Sequence, residues 1–435
     1  MKAFLTLQSV ESVLEHICSF PVLAHEGVSL DNAHGRRLAQ DFFAPENLPG
    51  FDRSTMDGYA VRARDVFGAQ EGSPALVECA GDCPMGVRPD LTLAEGQAAR
   101  IATGGMLPQG ADCVVMVEYS RPAGGNLVEL TRSQAPGDNI VFSDDDAAAG
   151  DRLLPAGHLL RPQDIGLLAA FGVTSATVRC RPRVAVLSTG DEIVPATETP
   201  PPGKIRDINA HSLTALCCEA GAQATRAGLV RDNARELETA LVQLAAGHDI
   251  VVVSGGSSAG ARDHTVEAFA ALPQGEILTH GVAISPGKPF ILARAVVDGR
   301  TVCLVGLPGH AVSALICARV FLVPLLHHLQ GRTEPEIPAR VPAVLLRSIA
   351  SAQGRRDYLR VRLRPLPAIS PELSTSSAHP ASSGSMAGQA LYEAEPITGA
   401  SGLITGLAAA DGLLVCPENR EGFAAGDIVM VELFQ

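Results

Sequence analysis

Three apolar runs in this chain end in loops of small residues, and such loops can hold an anion. They are Val184-Ala-Val-Leu-Ser-Thr-Gly-Asp-Glu192, Val251-Val-Val-Ser-Gly-Gly-Ser-Ser-Ala-Gly-Ala-Arg-Asp263 and Cys303-Leu-Val-Gly-Leu-Pro-Gly-His-Ala311. Backbone N–H groups freed in these loops, with the positive end of a following helix, suit phosphate or another oxoanion. The candidate anion-binding residues are Ser188, Gly190, Ser254, Gly255, Gly256, Ser258, Gly260, Pro308 and Gly309. One such loop could be an ordinary turn. Three in one region point to a site.

Acids stand at or near the same ends: Asp191, Glu192, Asp207, Asp232 and Asp263. One or two carboxylates beside phosphate oxygens are the usual way to hold Mg²⁺. Each acid also has a plain structural role open to it. Asp232 and Asp263 could cap helices, Asp191-Glu192 could be a solvated turn, and Asp144-Asp145-Asp146 could be a solvated acidic face. A fourth loop, Ile284-Ser-Pro-Gly-Lys-Pro289, fixes a turn through Pro286-Gly287 and aims Lys288 at one place. Lys288 is one of only three lysines, with Lys2 and Lys204. The motif Leu48-Pro-Gly-Phe-Asp-Arg-Ser-Thr-Met-Asp-Gly-Tyr-Ala-Val61 holds Asp57 at a turn and by periodicity alone reads as structural.

Other chemistries are excluded. Gly255 to Gly260 is followed by Ala261-Arg262 rather than Lys-Ser/Thr, so no Walker A is present, and no GxGxxG follows a strand. No nucleophile elbow or HExxH helix occurs. Cys79 and Cys83 lack a second Cys/His pair at zinc spacing.

The elements that must carry these loops follow from pattern. Residues 1–44 read as largely helical, opening with an amphipathic helix from Ser9 to Cys18. Ala75–Cys79, Cys113–Val117 and Asn126–Leu130 read as strands between Gly and Pro punctuation. Pro162 starts a helix that Gly172 ends. From about 181 to 330, apolar strands at Val184–Leu187, Ile250–Val253 and Thr301–Val305 alternate with helices, one capped by Asn209 and one running from Asp232. That alternation means βα units around a parallel or mixed sheet. Short strands return toward the C-terminus, broken by a Ser/Pro-rich stretch, Pro367–Ser385, that reads as an exposed loop. The expected class is multidomain α/β with β-rich modules. A helical and linker domain spans 1–47 with 151–180, a β-rich module 48–150, an α/β domain 181–332 and a C-terminal β domain 335–435.

Composition narrows the partners. The chain has 435 residues, a net charge of −13 and no Trp, which argues against general nucleic-acid binding. An anionic small ligand held by a few focused groups is compatible with it. No membrane span is expected, because Arg319 and Pro324 break the longest apolar run. The N-terminus lacks a signal-type apolar core, and ten sparse cysteines fit a reducing cytoplasm.

In order and spacing, these motifs resemble the molybdopterin molybdenumtransferase (molybdenum insertase) family. The match covers Phe51–Val61, Thr103–Asp112, Ser188–Glu192, Asp207–Asn209, Ser254–Asp263, Pro286–Pro289 and Leu307–His310. The resemblance implies an elongated homodimer whose cleft pairs the α/β domain of one subunit with the β-rich module of the other. It implies Mg²⁺-dependent insertion of molybdate into adenylylated molybdopterin with release of AMP. An upstream adenylyltransferase and a recipient molybdoenzyme are the implied protein partners. Position by position it assigns catalytic roles to Asp57, Glu192, Asp263 and Lys288. It adds Thr103, Asp232, Pro286, Gly287 and Pro308 to the binding residues, and Asp191, Glu192, Asp263 and Asp146 to the metal side. The chain departs from the family pattern at Gly281 and Ser285 (both usually Lys), His310 and Ala311 (usually Asn-Pro), Arg53 (usually Asn), Val141 (usually Arg) and Asp144-Asp145 (usually Gly-Glu). Arg53, Arg262, His264, His280 and His310 are candidates to restore the lost charge. These departures keep open the alternative of a non-catalytic paralogue that binds molybdopterin or a molybdoenzyme.

Overall fold

The computed structural model describes residues 7–255, 259–334, 337–366 and 391–434, with side chains except at 259–263. Pro367–Ser385, Gly256 and Ser258 lie outside the described residues. The chain forms two units, Met1–Ala39 with Gly157–Leu160 and Ala176–Gln435, and Gln40–Ala156 with Arg161–Ser175.

The larger unit is centred on a six-stranded sheet. Its strands run, edge to edge, Gln223–Val230, Arg183–Thr189, Ile250–Gly255, Arg300–Leu307, Ile291–Val297 and Glu276–His280. The first four are parallel and the last two antiparallel to their neighbours. Alternate residues of the central strands bury opposite faces. Val184, Val186, Ile250, Val252 and Val305 join one core, and Leu187, Val251, Val253 and Leu304 the other. Strands covered on both faces carry unbroken apolar runs, which is why Ile250–Val253 contains no polar residue.

The chain order reverses between the Arg183–Thr189 and Ile250–Gly255 strands, where crevices open in such sheets. Register places Thr189 beside Gly255 and Ser254 beside Leu307. The three loops that the sequence singles out therefore leave from the same edge of one sheet.

In the same unit, Arg356–Pro365, Tyr392–Pro396, Arg340–Leu345, Ile428–Leu433 and Gly412–Cys416 close into a five-stranded ring. Ile284–Ser285 pairs in parallel with its Arg356–Pro365 strand. That pairing seats the Pro286–Pro289 turn against the C-terminal barrel.

The smaller unit has its own six-stranded sheet: Cys113–Met116, Gly58–Val61, Gln97–Ile101, Ala75–Cys83, Leu127–Leu130 and Ser120–Gly124. The three strands expected from sequence here are present.

Local readings differ at several points. Among the described residues of 1–44 there is one α-helix, Val10–Cys18, capped by Ser9 as expected. Pro21 removes a helical donor, and the following His25–Ser29 is a strand. The Ala234–Gly247 helix is capped by Asn233, not Asp232, because the Asn233 side chain accepts from the N–H groups of Arg235 and Glu236. The Ala259–Ala271 helix starts four residues before Asp263, so that acid is not its cap. Asn209 opens a helix, but Asp207 accepts from Ala210 N–H there, freeing the Asn209 amide for other partners. The helical segment Ala311–Leu329 is long and apolar enough to cross a membrane by length and composition, despite Arg319 and Pro324. It is 61% buried inside the fold and supplies Phe321, Leu325 and Leu326 to the core, as a core helix does.

Candidate active site

Within the larger unit, Asn209 joins two of the three loops. Its Nδ2 donates to Ser254 Oγ and to the Gly309 carbonyl, both at 2.8 Å. Its Oδ1 is buried without a partner, as is Ser188 Oγ at the end of the neighbouring strand. Ser188 and Ser254 are almost fully buried. Unsatisfied polar atoms this deep mark a place prepared for a ligand or ordered water. Beside them lies a cavity of about 160 Å³ lined by Gly255, Thr265, Pro289, Pro308, His310 and Ser313, among others. Of the predicted anion residues, Gly255, Pro308 and Gly309 line this cavity.

Gly255 is required for close approach. It has φ +148°, and a Cβ there would run into the Thr189 carbonyl. Gly255→Ala is expected to destabilise the protein by about 2 kcal/mol or more through backbone strain. Urea unfolding of the variant measures this, and an unchanged midpoint would refute it.

Asp191, Glu192 and Asp232 share one edge of this region. Asp232 N–H donates to Asp191 Oδ1 at 3.4 Å. Burial first, then the charges of Glu192 and Asp191, hold the Asp232 carboxyl above the usual carboxylate range. The charge of His264 opposes that shift at Asp232. Among the described residues no ion pair neutralises these acids, and no three of them close into a complete ligand cage. Concentrated and unneutralised negative charge fits Mg²⁺ held by one or two carboxylates, with the remaining oxygens from substrate. The sequence places Asp263 with these acids and Gly260 with the anion loop; both lie on the Ala259–Ala271 helix.

Lys288 is exposed at the tip of its turn. Gly287 (φ +125°) lets that turn pass over buried Cys317, whose Sγ occupies the space a Cβ would need. On the other side of the turn a cavity of about 660 Å³ is lined by Ser285, Pro286, Tyr358, Arg360, Gly399 and Ser401, among others. That volume is in the range of small-molecule sites. Arg360 is only 8% exposed. Its Nη2 donates to the Gly399 carbonyl at 2.8 Å, while its Nη1 is buried without a partner. Burial alone lowers its pKa, and no acid offsets that effect. A buried guanidinium with no carboxylate is poised for an anion.

In the smaller unit, three sequence motifs converge. Ser54 and Gly105 exchange backbone contacts through Ser54 N–H to Gly105 O and Gly104 N–H to Ser54 O. Arg53-Ser54 pairs with Ile140-Val141, and Asp52 accepts from Ser143 N–H at 2.9 Å. Asp57 Oδ1 accepts from both Thr103 N–H (2.7 Å) and Thr103 Oγ1 (2.8 Å). These bonds, the backbone one first, hold the Asp57 carboxyl below its usual range. Asp57 thus organises the Thr103 turn directly. Asp146 stands nearby in sequence to this cluster, exposed with Asp144 and Asp145.

A depressed carboxyl pKa adds stability above the ordinary carboxylate range and loses it as pH falls through the depressed value. Asp57→Asn is therefore expected to flatten the acid limb of the stability profile. A limb unchanged in acid titration of unfolding would remove the tie.

Three family models match the chain: the MoeA N-terminal region (domain I and II) over residues 7–172, a domain described as "Probable molybdopterin binding domain" over 185–328, and the MoeA C-terminal region (domain IV) over 379–434. Molybdopterin molybdenumtransferase 2 of Mycobacterium tuberculosis is 35% identical over 411 residues, covering 93% of this chain and 94% of that protein. The chain belongs to the molybdopterin molybdenumtransferase family. The molybdopterin molybdenumtransferase of a Nostoc species is 36% identical over 334 residues, covering 77% of this chain and 76% of its own. The crystal structure of a molybdopterin biosynthesis MoeA protein from Pyrococcus horikoshii is similar with a TM-score of 0.78 at 33% identity. The match covers 99% of this chain and all of that one.

The N-terminal model takes in residues of both units. The central model covers the six-stranded sheet with its three loops, and the C-terminal one overlaps the barrel that carries Gly399 and Ser401. Arg360 is the residue that sequence reasoning missed. Its distinguishing property is burial without an acid, which no one-dimensional pattern records.

Proposed function

We propose that this protein inserts molybdate into adenylylated molybdopterin, with Mg²⁺-dependent cleavage of the phosphoanhydride and release of AMP. The observation that carries the reading is Arg360, buried with no acid beside it and with Nη1 lacking a partner, in a cavity that it shares with Ser285 and Pro286 of the anion turn. Molybdate is a tetrahedral oxoanion, and a guanidinium in a low-dielectric cavity is suited to hold it.

Each group has a task. Arg360 binds the oxoanion, and Lys288 balances phosphate charge from the turn tip. The Gly255, Pro308-Gly309 and Ser188-Gly190 ends hold the phosphate side of the substrate, with Ser254 fixed by Asn209. Asp191 and Glu192 would hold Mg²⁺ beside Asp232, and the ion would neutralise the phosphoanhydride when bound. Glu192 and Asp263 are the first assignments for chemistry on that side. Asp57, Thr103 and Asp146 form the contribution of the smaller unit. The protein acts as a cytoplasmic homodimer in this reading, between an adenylyltransferase that supplies its substrate and a molybdoenzyme that takes its product.

The test supplies purified protein with adenylylated molybdopterin, Mg²⁺ and molybdate, and assays AMP and active cofactor. AMP release that depends on both ions supports the reading, and none above background overturns it. Gly281 and Ser285 favour a second reading, since both are uncharged at positions where the resemblance noted above implies lysine. Saturable pterin binding in equilibrium dialysis without AMP release would identify a binding paralogue.

A further inference from the structure

The two cavities of the larger unit stand back to back. The Ser285–Pro289 segment gives Ser285 and Pro286 to the larger and Pro289 to the smaller. The helix start gives Val312 to the larger and Ser313 to the smaller. The third piece of the wall is a side-chain contact: His310 lines the smaller cavity, Ser401 lines the larger, and His310 Nδ1 and Ser401 Oγ share a hydrogen bond at 3.0 Å. Val312 N–H donates to the Ser401 carbonyl at 3.0 Å, so the Gly399–Ser401 strap is tied twice to the helix start. The same strap supplies the Gly399 carbonyl that fixes Arg360.

We propose that His310 is a positioning residue for the oxoanion, acting through Ser401 rather than by touching the pterin substrate. The backbone bond at Val312 sets where the strap lies. The His310 bond sets where the Ser401 hydroxyl points, and with it the shape of the larger cavity facing Arg360. This wall belongs to the present chain, whose loop reads Leu-Pro-Gly-His-Ala at 307–311. The proposal rests on reading the larger cavity as the molybdate site.

The experiment compares wild type with His310→Ala, His310→Asn, Ser401→Ala and the His310→Ala/Ser401→Ala double variant. His310→Ala is expected to raise the half-saturating molybdate concentration by about tenfold, the scale of one lost hydrogen bond at a binding site. Turnover at saturating molybdate and KM for adenylylated molybdopterin should stay within about twofold. His310→Asn should recover part of the loss, since its amide can still bond the hydroxyl. Ser401→Ala should match His310→Ala, and the double variant should be no worse than either, because one bond cannot be lost twice.

An unchanged molybdate requirement in His310→Ala, effects that multiply in the double variant, or an equal rise in the pterin KM would each overturn the proposal. Equilibrium dialysis against molybdate alone reads the same shift without turnover. If wild type binds molybdate but releases no AMP, the insertase reading fails and the dialysis series still decides the role of His310. If wild type binds no molybdate, the proposal fails. Thermal unfolding checks that each variant is folded, and Ser401→Ala carries the test should His310→Ala not fold.

Discussion

Arg360→Met is expected to lower molybdate-dependent AMP release at subsaturating molybdate by about 30-fold or more, with little loss of thermal stability. Removing the charged partner of a desolvated anion costs about 2–5 kcal/mol. At 1.4 kcal/mol per decade, the lower end is already about 30-fold. Stability moves differently. In the free protein the guanidinium is buried with no acid beside it, and its Nη1 has no partner. Replacing a buried charge by an apolar side chain of similar length is often neutral or stabilising. The loss to set against this is the Nη2 bond to Gly399, about 1 kcal/mol. Melting curves with and without molybdate separate the two effects. The ion should raise the wild-type midpoint and leave that of the variant in place. A variant that is still stabilised by molybdate would show that Arg360 is not the anion partner.

The contrast between Arg360 and the loop residues shows what the sequence could reveal. Ile250–Val253 and Val184–Leu187 are legible as buried strands because parallel sheets covered on both faces leave no polar position in the run. Once those strands are adjacent, their loops must meet, so Ser188, Gly190, Ser254 and Pro308 could be grouped without coordinates. Arg360 sits in a strand reading Arg356-Asp-Tyr-Leu-Arg-Val-Arg-Leu-Arg364, where alternate arginines suggest a solvated face. Only closure of the barrel and the seating of Ile284–Ser285 on that strand bury one of them. Helix caps were missed for a more local reason. Asp232 and Asn233 are both good caps by type, and one residue of register decides between them. Asn209 is a good cap by type, but Asp207 fills that role, and the Asn209 amide links Ser254 to Gly309.

Glu192→Gln is expected to reduce Mg²⁺-dependent AMP release by about 100-fold or more, the scale of losing a charged group that acts on the reacting phosphates. It should also stabilise the protein when Mg²⁺ is absent. Asp232 carries the reason: burial and the charges of Glu192 and Asp191 raise its pKa in the folded protein. A carboxyl raised on folding binds more protons in the native than in the unfolded state. Stability contributed by its protonated form is therefore greatest in acid and is lost as pH rises from the ordinary carboxylate value through the raised one. Above that window all three acids are charged and repel. Glutamine at 192 removes one charge, lowers the pKa of Asp232 and relieves part of that repulsion. Mg²⁺ bound as proposed would relieve it in the wild type, so the cation should raise the wild-type midpoint at neutral pH, with a smaller gain in acid. In the variant the gain should shrink at both. A wild type whose melting temperature ignores Mg²⁺ at neutral pH, or a variant that keeps full Mg²⁺-dependent turnover, would place the metal elsewhere. If the variant lost activity but unfolded earlier without Mg²⁺, Glu192 would be holding its loop together rather than crowding Asp232 with charge.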